Sequence, residues 1–496
     1  MRRLRFVGMC AVLAAGLVPS VGVAQDVPIM PLSDVKPGMK GYGLTVFRGT
    51  EPQRFEFEVR GVAPDFMGWP RVIVVRLFGG PKGKNGKSVF ETGQVFGGMS
   101  GSPMYIDGKL IGGLALAKDF STTAKTLITP IEYMLDLGRV DSGGPTAPTN
   151  VRPGEYMSLC LVYGDSDFCF DGTVTAVHEG HIYTMAHGVS LENGKTQLPV
   201  FRRSVVDLLE SQAGASKISG LRGAAIGTAS VHGMFGIVVR PGNLPKEVPV
   251  TLTINDVYPK PLVVQEKLPY SNISAMSLTY VLGSKLGALP IAGKTTRTKA
   301  VIRLRAPAGV IRLEDTAPAA VDSVVNILNR LLDQEGEKLE VEGADFDCRL
   351  LPVNELWSPF IIKTDGKGKA GKLLVLARKG ADNALGEFVG DIDLSGVEQV
   401  KASTLQWLDG TDLQREILAR MPVREAMPLL AQIENHEALY LVSMVEDKDM
   451  PVEWANKESA PALAPSVRVL ASTTLGGHRF LMSDNKPMPF NPEPKK

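Results

Sequence analysis

The sequence predicts a mainly β protein built from several small domains. Its 496 residues exceed one typical domain of ~100–200 residues and leave room for about two to four. With 52 glycines, 34 prolines and only 6% aromatic residues, the chain favours short strands joined by turns over long helices. The formal net charge of +1 gives no support for binding to nucleic acid or to a charged membrane surface.

Residues 1–24 have the pattern of a cleavable secretory signal. Arg2, Arg3 and Arg5 form a positive segment, an apolar run follows, and Ala24 lies at a small-residue cleavage site. This run is too short for a membrane span, and no later run reaches about 18 uninterrupted apolar residues. We therefore expect an exported protein, periplasmic or extracellular, whose mature chain has no transmembrane segment.

Residues 25–142 are predicted to form a first β-rich half. Alternating and continuous apolar patterns indicate strands at Gly41–Val46, Phe55–Val62 and Arg71–Gly79. The segment Leu127–Gly138 is expected to begin as a strand and to continue as a short helix.

The most informative part of this half is residues 93–113, GQVFGGMSGSPMYIDGKLIGG. Ser100 lies between glycines and is followed by a strand, an Asp107-Gly108 turn and a second strand. Such a turn exposes the serine Oγ, as an acyl-transfer nucleophile requires, and the N–H groups of Gly98 and Ser100 can point at a developing oxyanion. The alternative is a structural serine in a turn between strands.

Residues 143–153 are a Gly/Pro/Thr-rich linker, and residues 154–260 are predicted to form a second β-rich half. A strand hairpin in this half leads into Ala-His-Gly around His187, where small neighbours let the imidazole turn into a cleft. His187 is therefore a candidate general base, the alternative being a core histidine. His178 and His181 lie around a turn and lack the helical spacing of a zinc motif, so we predict no metal site.

Cys160 and Cys169 flank a turn in CLVYGDSDFC and are predicted to form a disulfide. If Gly164-Asp165 is the two-residue loop of a hairpin, Tyr163 faces Ser166. Counting outward then places the cysteines opposite each other, with Cα atoms ~4.5 Å apart. An exported setting permits this oxidation, and a pair of reduced thiols is the alternative.

The rest of the chain is less informative. Residues 261–460 are expected to be an α+β region, with helices in TDLQREILARM and REAMPLLAQI, and to offer a surface for a protein partner. Residues 461–496 are predicted to be a Pro-rich tail.

Three segments resemble the SpoIVB-type serine peptidase family, the sporulation signalling proteases and their bacterial relatives. They are ETGQVFGGMSGSPMYIDGKLIGG from Glu91, GTVTAVHEGHIYTMAHGVS from Gly172 and IGTASVHGMFGIV from Ile226. The resemblance implies two β-barrels of the chymotrypsin type. The family has its histidine before its serine and a PDZ domain first, whereas here Ser100 precedes His187. We therefore expect permuted halves, which leave triad geometry free to form.

This resemblance implies an exported serine endopeptidase that cleaves an extracytoplasmic protein or peptide. Ser100 would be the nucleophile, His187 the general base, and the N–H groups of Gly98 and Ser100 the oxyanion hole. Such chemistry needs no metal or organic cofactor. The alternative function is a catalytically weak or inactive scaffold that keeps the protease fold for binding.

The third member of the triad is the open question. The family's acidic residue aligns with Asn85, which can orient an imidazole ring but cannot stabilise its positive charge. Asp171, Asp207 and Glu91 are alternatives, and the sequence does not choose among them.

Overall fold

A computed structural model describes residues 27–83, 86–117, 121–141, 149–189, 193–211, 213–257, 259–270, 272–289, 294–305, 309–317, 340–352, 356–366, 368–379, 384–395, 397, 405–420, 423–433, 436, 438–444, 467–475, 479–480 and 488–489. The signal segment 1–24 and Asn85 lie outside these residues, as do most of 143–153 and of 461–496. Strands dominate the described part, which confirms the predicted mainly β class.

Six strands of the serine half form a closed barrel. They are β1 (Lys40–Thr45), β2 (Gln53–Phe66), β3 (Trp69–Phe78), β4 (Pro103–Ile106), β5 (Lys109–Ala117) and β6 (Lys125–Pro130). The strand order is β1-β2-β3-β6-β5-β4, and pairing of β4 with β1 closes the ring.

Strict alternation of side chains builds this barrel. In β2, Phe55, Phe57 and Val59 are fully buried while the residues between them point outward, as the two-residue period of a strand requires. Asp107 and Gly108 both have positive φ, at 49° and 74°, which suits the tight hairpin turn that the sequence predicts between β4 and β5.

Six strands of the histidine half pair in a second ring. They are β7 (Tyr156–Gly164), β8 (Asp167–His178), β9 (His181–Thr184), β10 (Gly194–Leu209), β11 (Ser216–Gly233) and β12 (Gly236–Pro241). Their order is β10-β11-β12-β9-β8-β7, and β7 also pairs with β10.

A shared apolar cluster joins the two barrels. Helix α1 (Ile131–Gly138) follows β6 directly, as the sequence predicts, and its Ile131 and Met134 pack in this cluster. Tyr183 and Val238 of the second barrel belong to the same cluster, so the two halves bury one continuous interface.

The sheet of the second barrel continues past residue 260, where the sequence predicts a domain boundary. The added elements are β13 (Glu247–Ile254), β14 (Leu262–Pro269), α2 (Asn272–Gly287), β15 (Lys294–Leu304), β16 (Val310–Ala317) and β17 (Val341–Pro352). They extend from β7 in the order β14-β13-β17-β15-β16.

Two further four-stranded sheets complete the described C-terminal region. Its elements are β18 (Leu356–Asp365), β19 (Gly368–Lys379), β20 (Ala384–Leu394), β21 (Leu405–Asp409), α3 (Gly410–Arg420), α4 (Val423–Leu430), β22 (Leu439–Met444), β23 (Val467–Thr473), β24 (Arg479–Phe480) and β25 (Met488–Pro489). The sheet orders are β20-β19-β18-β24 and β23-β22-β21-β25, and α3 and α4 cover the two predicted helices. The described part of 461–496 therefore pairs within the sheets instead of standing apart as a tail.

Among the described residues, no helix has the length and apolar character needed to span a bilayer.

The predicted disulfide is present, but the hairpin that holds it has a different register. Cys160 and Cys169 are bonded, with Cα atoms 4.0 Å apart. Tyr163 faces Asp167, where the two-residue loop predicted Ser166, and the extra loop residue is compensated by a bulge at Leu161. The bulge returns the two cysteines to opposite positions.

Replacing both bonded cysteines by alanine should lower the free energy of unfolding by about 2 to 3 kcal/mol, because the bond closes a short loop in the unfolded chain. Urea unfolding measures this loss. A reductant should lower the midpoint of the parent protein and leave that of the Cys160→Ala, Cys169→Ala variant unchanged. A parent midpoint that does not respond to reductant would show that the bond contributes nothing.

Candidate active site

Ser100 lies where the two barrels touch. The N–H of Thr173, on β8, donates to the Ser100 carbonyl at 2.7 Å, and the N–H of Gly101 donates to the Leu114 carbonyl at 2.7 Å. Gly101 has φ of +90°, and a Cβ there would lie 2.0 Å from the Thr173 carbonyl oxygen. Only glycine fits this position, and its absent side chain is what lets the serine turn meet the second barrel.

His187 reaches the same seam through a sharp reversal after β9. Met185 and Ala186 have positive φ, at 64° and 56°, a conformation that costs non-glycine residues about 1–2 kcal/mol each. The Thr129 hydroxyl offsets part of this cost by donating to the Ala186 carbonyl at 2.5 Å. The indole N–H of Trp69 in turn donates to Thr129 at 2.9 Å, so the first barrel holds the reversal in place.

The two predicted catalytic side chains are in direct contact. His187 Nε2 lies 2.8 Å from Ser100 Oγ, and His187 Nδ1 lies 2.7 Å from the carbonyl oxygen of Gly188. Because a carbonyl can only accept, Nδ1 must carry the proton, which leaves the Nε2 lone pair facing the serine hydroxyl. A proton on Nδ1 is the tautomer that a general base for Ser100 requires. Ser100 Oγ also lies 3.3 Å from the Ala115 carbonyl, a longer contact than the one with His187.

Burial controls the charge of His187. Desolvation lowers the pKa of the imidazole below its usual 6.5, and the hydrogen bond to the Gly188 carbonyl opposes this effect only in part. The ring is therefore neutral at pH 7 and able to accept a proton.

None of the three alternative carboxylates contacts His187. Asp171 accepts hydrogen bonds from the hydroxyls of Ser158 and Ser219. Glu91 accepts from the Ser88 N–H at 3.0 Å, and Asp207 accepts from the Leu208 N–H at 2.9 Å. Asn85 lies outside the described residues.

Within the described residues, the group that orients the His187 ring is thus the neutral carbonyl of Gly188. The sequence gives no hint of this, because every residue carries such a carbonyl and only the path of the chain selects one.

His232 helps to hold the segment Gly188–Val189, whose Gly188 carbonyl orients the His187 ring. Its Nε2 accepts the N–H of Val189 at 2.9 Å, and the Gly188 N–H donates to the Met234 carbonyl at 3.1 Å. The turn between β11 and β12 therefore fixes the segment whose carbonyl orients His187. No spacing in the sequence links His232 to His187, so only the structure brings the two histidines together.

The N–H groups of Gly98 and Ser100 are arranged as donors for an incoming oxygen. Within the described part of the chain, neither donates to a protein acceptor. The Gly98 N–H shares a peptide group with the Gly97 carbonyl, and the Ser100 N–H shares one with the Met99 carbonyl. Both carbonyls accept hydrogen bonds on the opposite side of the turn. The Gly97 carbonyl accepts the Lys217 N–H at 3.0 Å, and the Met99 carbonyl accepts the N–H and hydroxyl of Ser102 at 2.9 and 2.6 Å. In a trans peptide the N–H points away from its C=O, so these anchors direct both N–H groups outward.

No group of three or more His, Cys, Asp or Glu side chains that could hold a metal ion occurs among the described residues. His181 of the predicted turn pairs with Asp141 at 3.1 Å, and Asp141 also binds Arg240.

No family model, curated protein or solved structure matches this chain. The geometry at the seam therefore carries the functional interpretation.

The lowered pKa of His187 predicts the pH dependence of Ser100 reactivity. The base must be neutral, so the rate of labelling by a fluorophosphonate should be flat near pH 7 and fall only below pH 6.5, as His187 becomes protonated. Labelling kinetics from pH 4.5 to 8, with folding checked by circular dichroism at each pH, measure this. A half-maximal rate at or above pH 7 would contradict a partly buried base whose pKa is lowered.

Proposed function

We propose that this protein is an exported serine endopeptidase that cleaves an extracytoplasmic protein or peptide. The observation that carries the proposal is the 2.8 Å contact between His187 Nε2 and Ser100 Oγ, with Nδ1 held as a donor by the Gly188 carbonyl. A structural serine or a core histidine would not require this tautomer or the two free N–H groups beside it.

In the proposed reaction, Ser100 Oγ forms a bond to the carbonyl carbon of the peptide while its proton passes to His187 Nε2. The carbonyl π electrons move to oxygen, and the N–H groups of Gly98 and Ser100 bind the resulting oxyanion. The intermediate collapses, the C–N bond breaks, and the leaving amine takes the proton from Nε2. Water repeats the sequence on the acyl-enzyme and restores Ser100.

The neutral orienting group predicts a slow enzyme. Replacing the triad aspartate of serine proteases by asparagine costs ~10⁴ in turnover, chiefly because the ring then holds the wrong tautomer. The Gly188 carbonyl enforces the right tautomer but supplies no full negative charge to the imidazolium. Part of that loss is therefore expected here, and this same feature favours the second candidate function, a protease-fold scaffold with weak or no catalysis.

The proposed setting comes from the sequence. The segment 1–24 would direct export, and the SpoIVB-type resemblance favours an exported or membrane-anchored protein as substrate. The region 261–460 remains the part that we expect to contact a protein partner. The reaction as written uses no metal or organic cofactor.

The proposal is tested by labelling the purified mature chain with a fluorophosphonate probe, alongside Ser100→Ala and His187→Ala. The parent should label at Ser100, and both variants should lose labelling by roughly 10³-fold or more, because the two groups act as a unit. His178→Ala is the matched control, since this histidine lies at the β8–β9 turn away from Ser100, and it should label like the parent.

Cleavage of a peptide library and of small esters then separates a peptidase from an esterase. A folded parent that does not label, or a His187→Ala variant that labels at the parent rate, would contradict the proposal. Either result would favour a protease-fold scaffold with weak or no catalysis.

A further inference from the structure

Lys217 is a buried lysine directly behind the serine turn. Only 6% of its surface is exposed, and it is the one lysine among the buried residues in the described part of the chain. An ammonium group in such a place loses its hydration and must find other partners. Burial lowers the pKa of Lys217 well below 10.5, and the carboxylate of Asp171 opposes that shift.

The partners of Lys217 converge on Gly98. Nζ donates to the Gly98 carbonyl at 3.1 Å and to the Thr45 hydroxyl at 2.7 Å. Nζ also lies 4.6 Å from the ring centre of Tyr156, close enough for a cation–π contact. The backbone N–H of Lys217 donates to the Gly97 carbonyl at 3.0 Å. Lys217 therefore donates hydrogen bonds to the carbonyls of both peptide groups of Gly98, those of Gly97 and of Gly98 itself.

Gly98 needs such restraint. Its φ of +89° lies in a region open to glycine, so the orientation of its peptide groups depends on the hydrogen bonds that hold them. Thr173 Oγ1 donates to the same Gly98 carbonyl at 2.9 Å. A side chain at Gly98 cannot supply the restraint, because its Cβ would lie 2.9 Å from the Tyr156 ring.

We propose that Lys217 is a positioning residue for the oxyanion hole, which keeps the Gly98 N–H aimed at the substrate carbonyl by holding the carbonyls of Gly97 and Gly98. The inference rests on the proposed function and adds a residue to it. Lys217 touches no reacting atom and acts through the carbonyls of Gly97 and Gly98.

The chemistry of lysine suits this role. Its long stem crosses the interior from β11 and brings several N–H donors to one point, where they reach the Gly98 carbonyl and the Thr45 hydroxyl. The hydroxyls of Ser158 and Ser219 hold the Asp171 carboxylate, whose negative charge acts on Lys217, and the Tyr156 hydroxyl lies 2.9 Å from Ser219 Oγ. This polar network gives the buried lysine polar surroundings beside the active-site turn.

The test compares Lys217→Met with the parent in fluorophosphonate labelling, resolved into the maximal rate and the apparent affinity for the probe. Methionine matches the length of the stem and removes the donor, while the backbone N–H to Gly97 remains. We expect the maximal rate to fall at least ~10-fold, because a lost oxyanion donor costs ~10²–10³ and a loosened one costs part of that. The apparent affinity should change less than about threefold, because the substrate site is not touched.

Two further variants make the result decisive. Lys109→Met, at an exposed lysine of the β4–β5 hairpin, is the matched control and should label like the parent. Thr173→Val removes the second donor to the Gly98 carbonyl and should also lower the maximal rate, and it decides the question if Lys217→Met does not fold.

The outcomes separate the two proposals. A parent that labels, with folded Lys217→Met and Thr173→Val variants that label within about threefold of it, overturns the role of Lys217 and leaves the peptidase intact. A parent that does not label overturns the proposed function and with it this inference. A fall in maximal rate with an unchanged urea midpoint supports positioning over a general loss of structure.

Discussion

The hydrogen bond from the Thr173 N–H to the Ser100 carbonyl fixes the distance between the two barrels at the point where their side chains must meet. Gly101 makes this contact possible, since any side chain there would collide with the Thr173 carbonyl. Once the backbones are this close, the reversal at Met185 and Ala186 brings His187 onto Ser100. The functional geometry therefore depends on close packing of main chain at the seam, and the order of the halves along the chain does not matter to it.

The electrostatics of the site follow from the same close packing. Partial burial disfavours the charged imidazole, so the ring stays neutral at pH 7, and hydrogen bonds to carbonyl oxygens of the turn gain strength where the local dielectric is low. Lys217 Nζ lies on the other side of the turn and donates to the Gly98 carbonyl. Relative to a Ser-His-Asp triad, the described residues thus place no carboxylate on the base, and they add a buried lysine that supports the oxyanion donors.

The sequence predicts the parts that depend on local pattern. The mainly β class, the serine turn between glycines, the strand that leads into α1 and the pairing of Cys160 with Cys169 all follow from spacing and composition. The bulge at Leu161 cannot be predicted in this way. A two-residue loop without a bulge and a three-residue loop with a bulge give the same pairing of the two cysteines. The roles of Lys217 and of the Gly188 carbonyl cannot be predicted from local pattern either. Lys217 has the sequence context of an ordinary strand lysine, and the Gly188 carbonyl is a backbone group. Both gain a role only when distant strands pack together.

The most direct test of the account is a crystal structure of the phosphonylated protein, with the modified residue also identified by peptide mapping. A preformed oxyanion hole predicts an adduct on Ser100 whose phosphonyl oxygen lies about 3 Å from the nitrogens of both Gly98 and Ser100. An adduct on another residue, or a phosphonyl oxygen that turns away from these two N–H groups, would contradict a preformed oxyanion hole at the barrel seam.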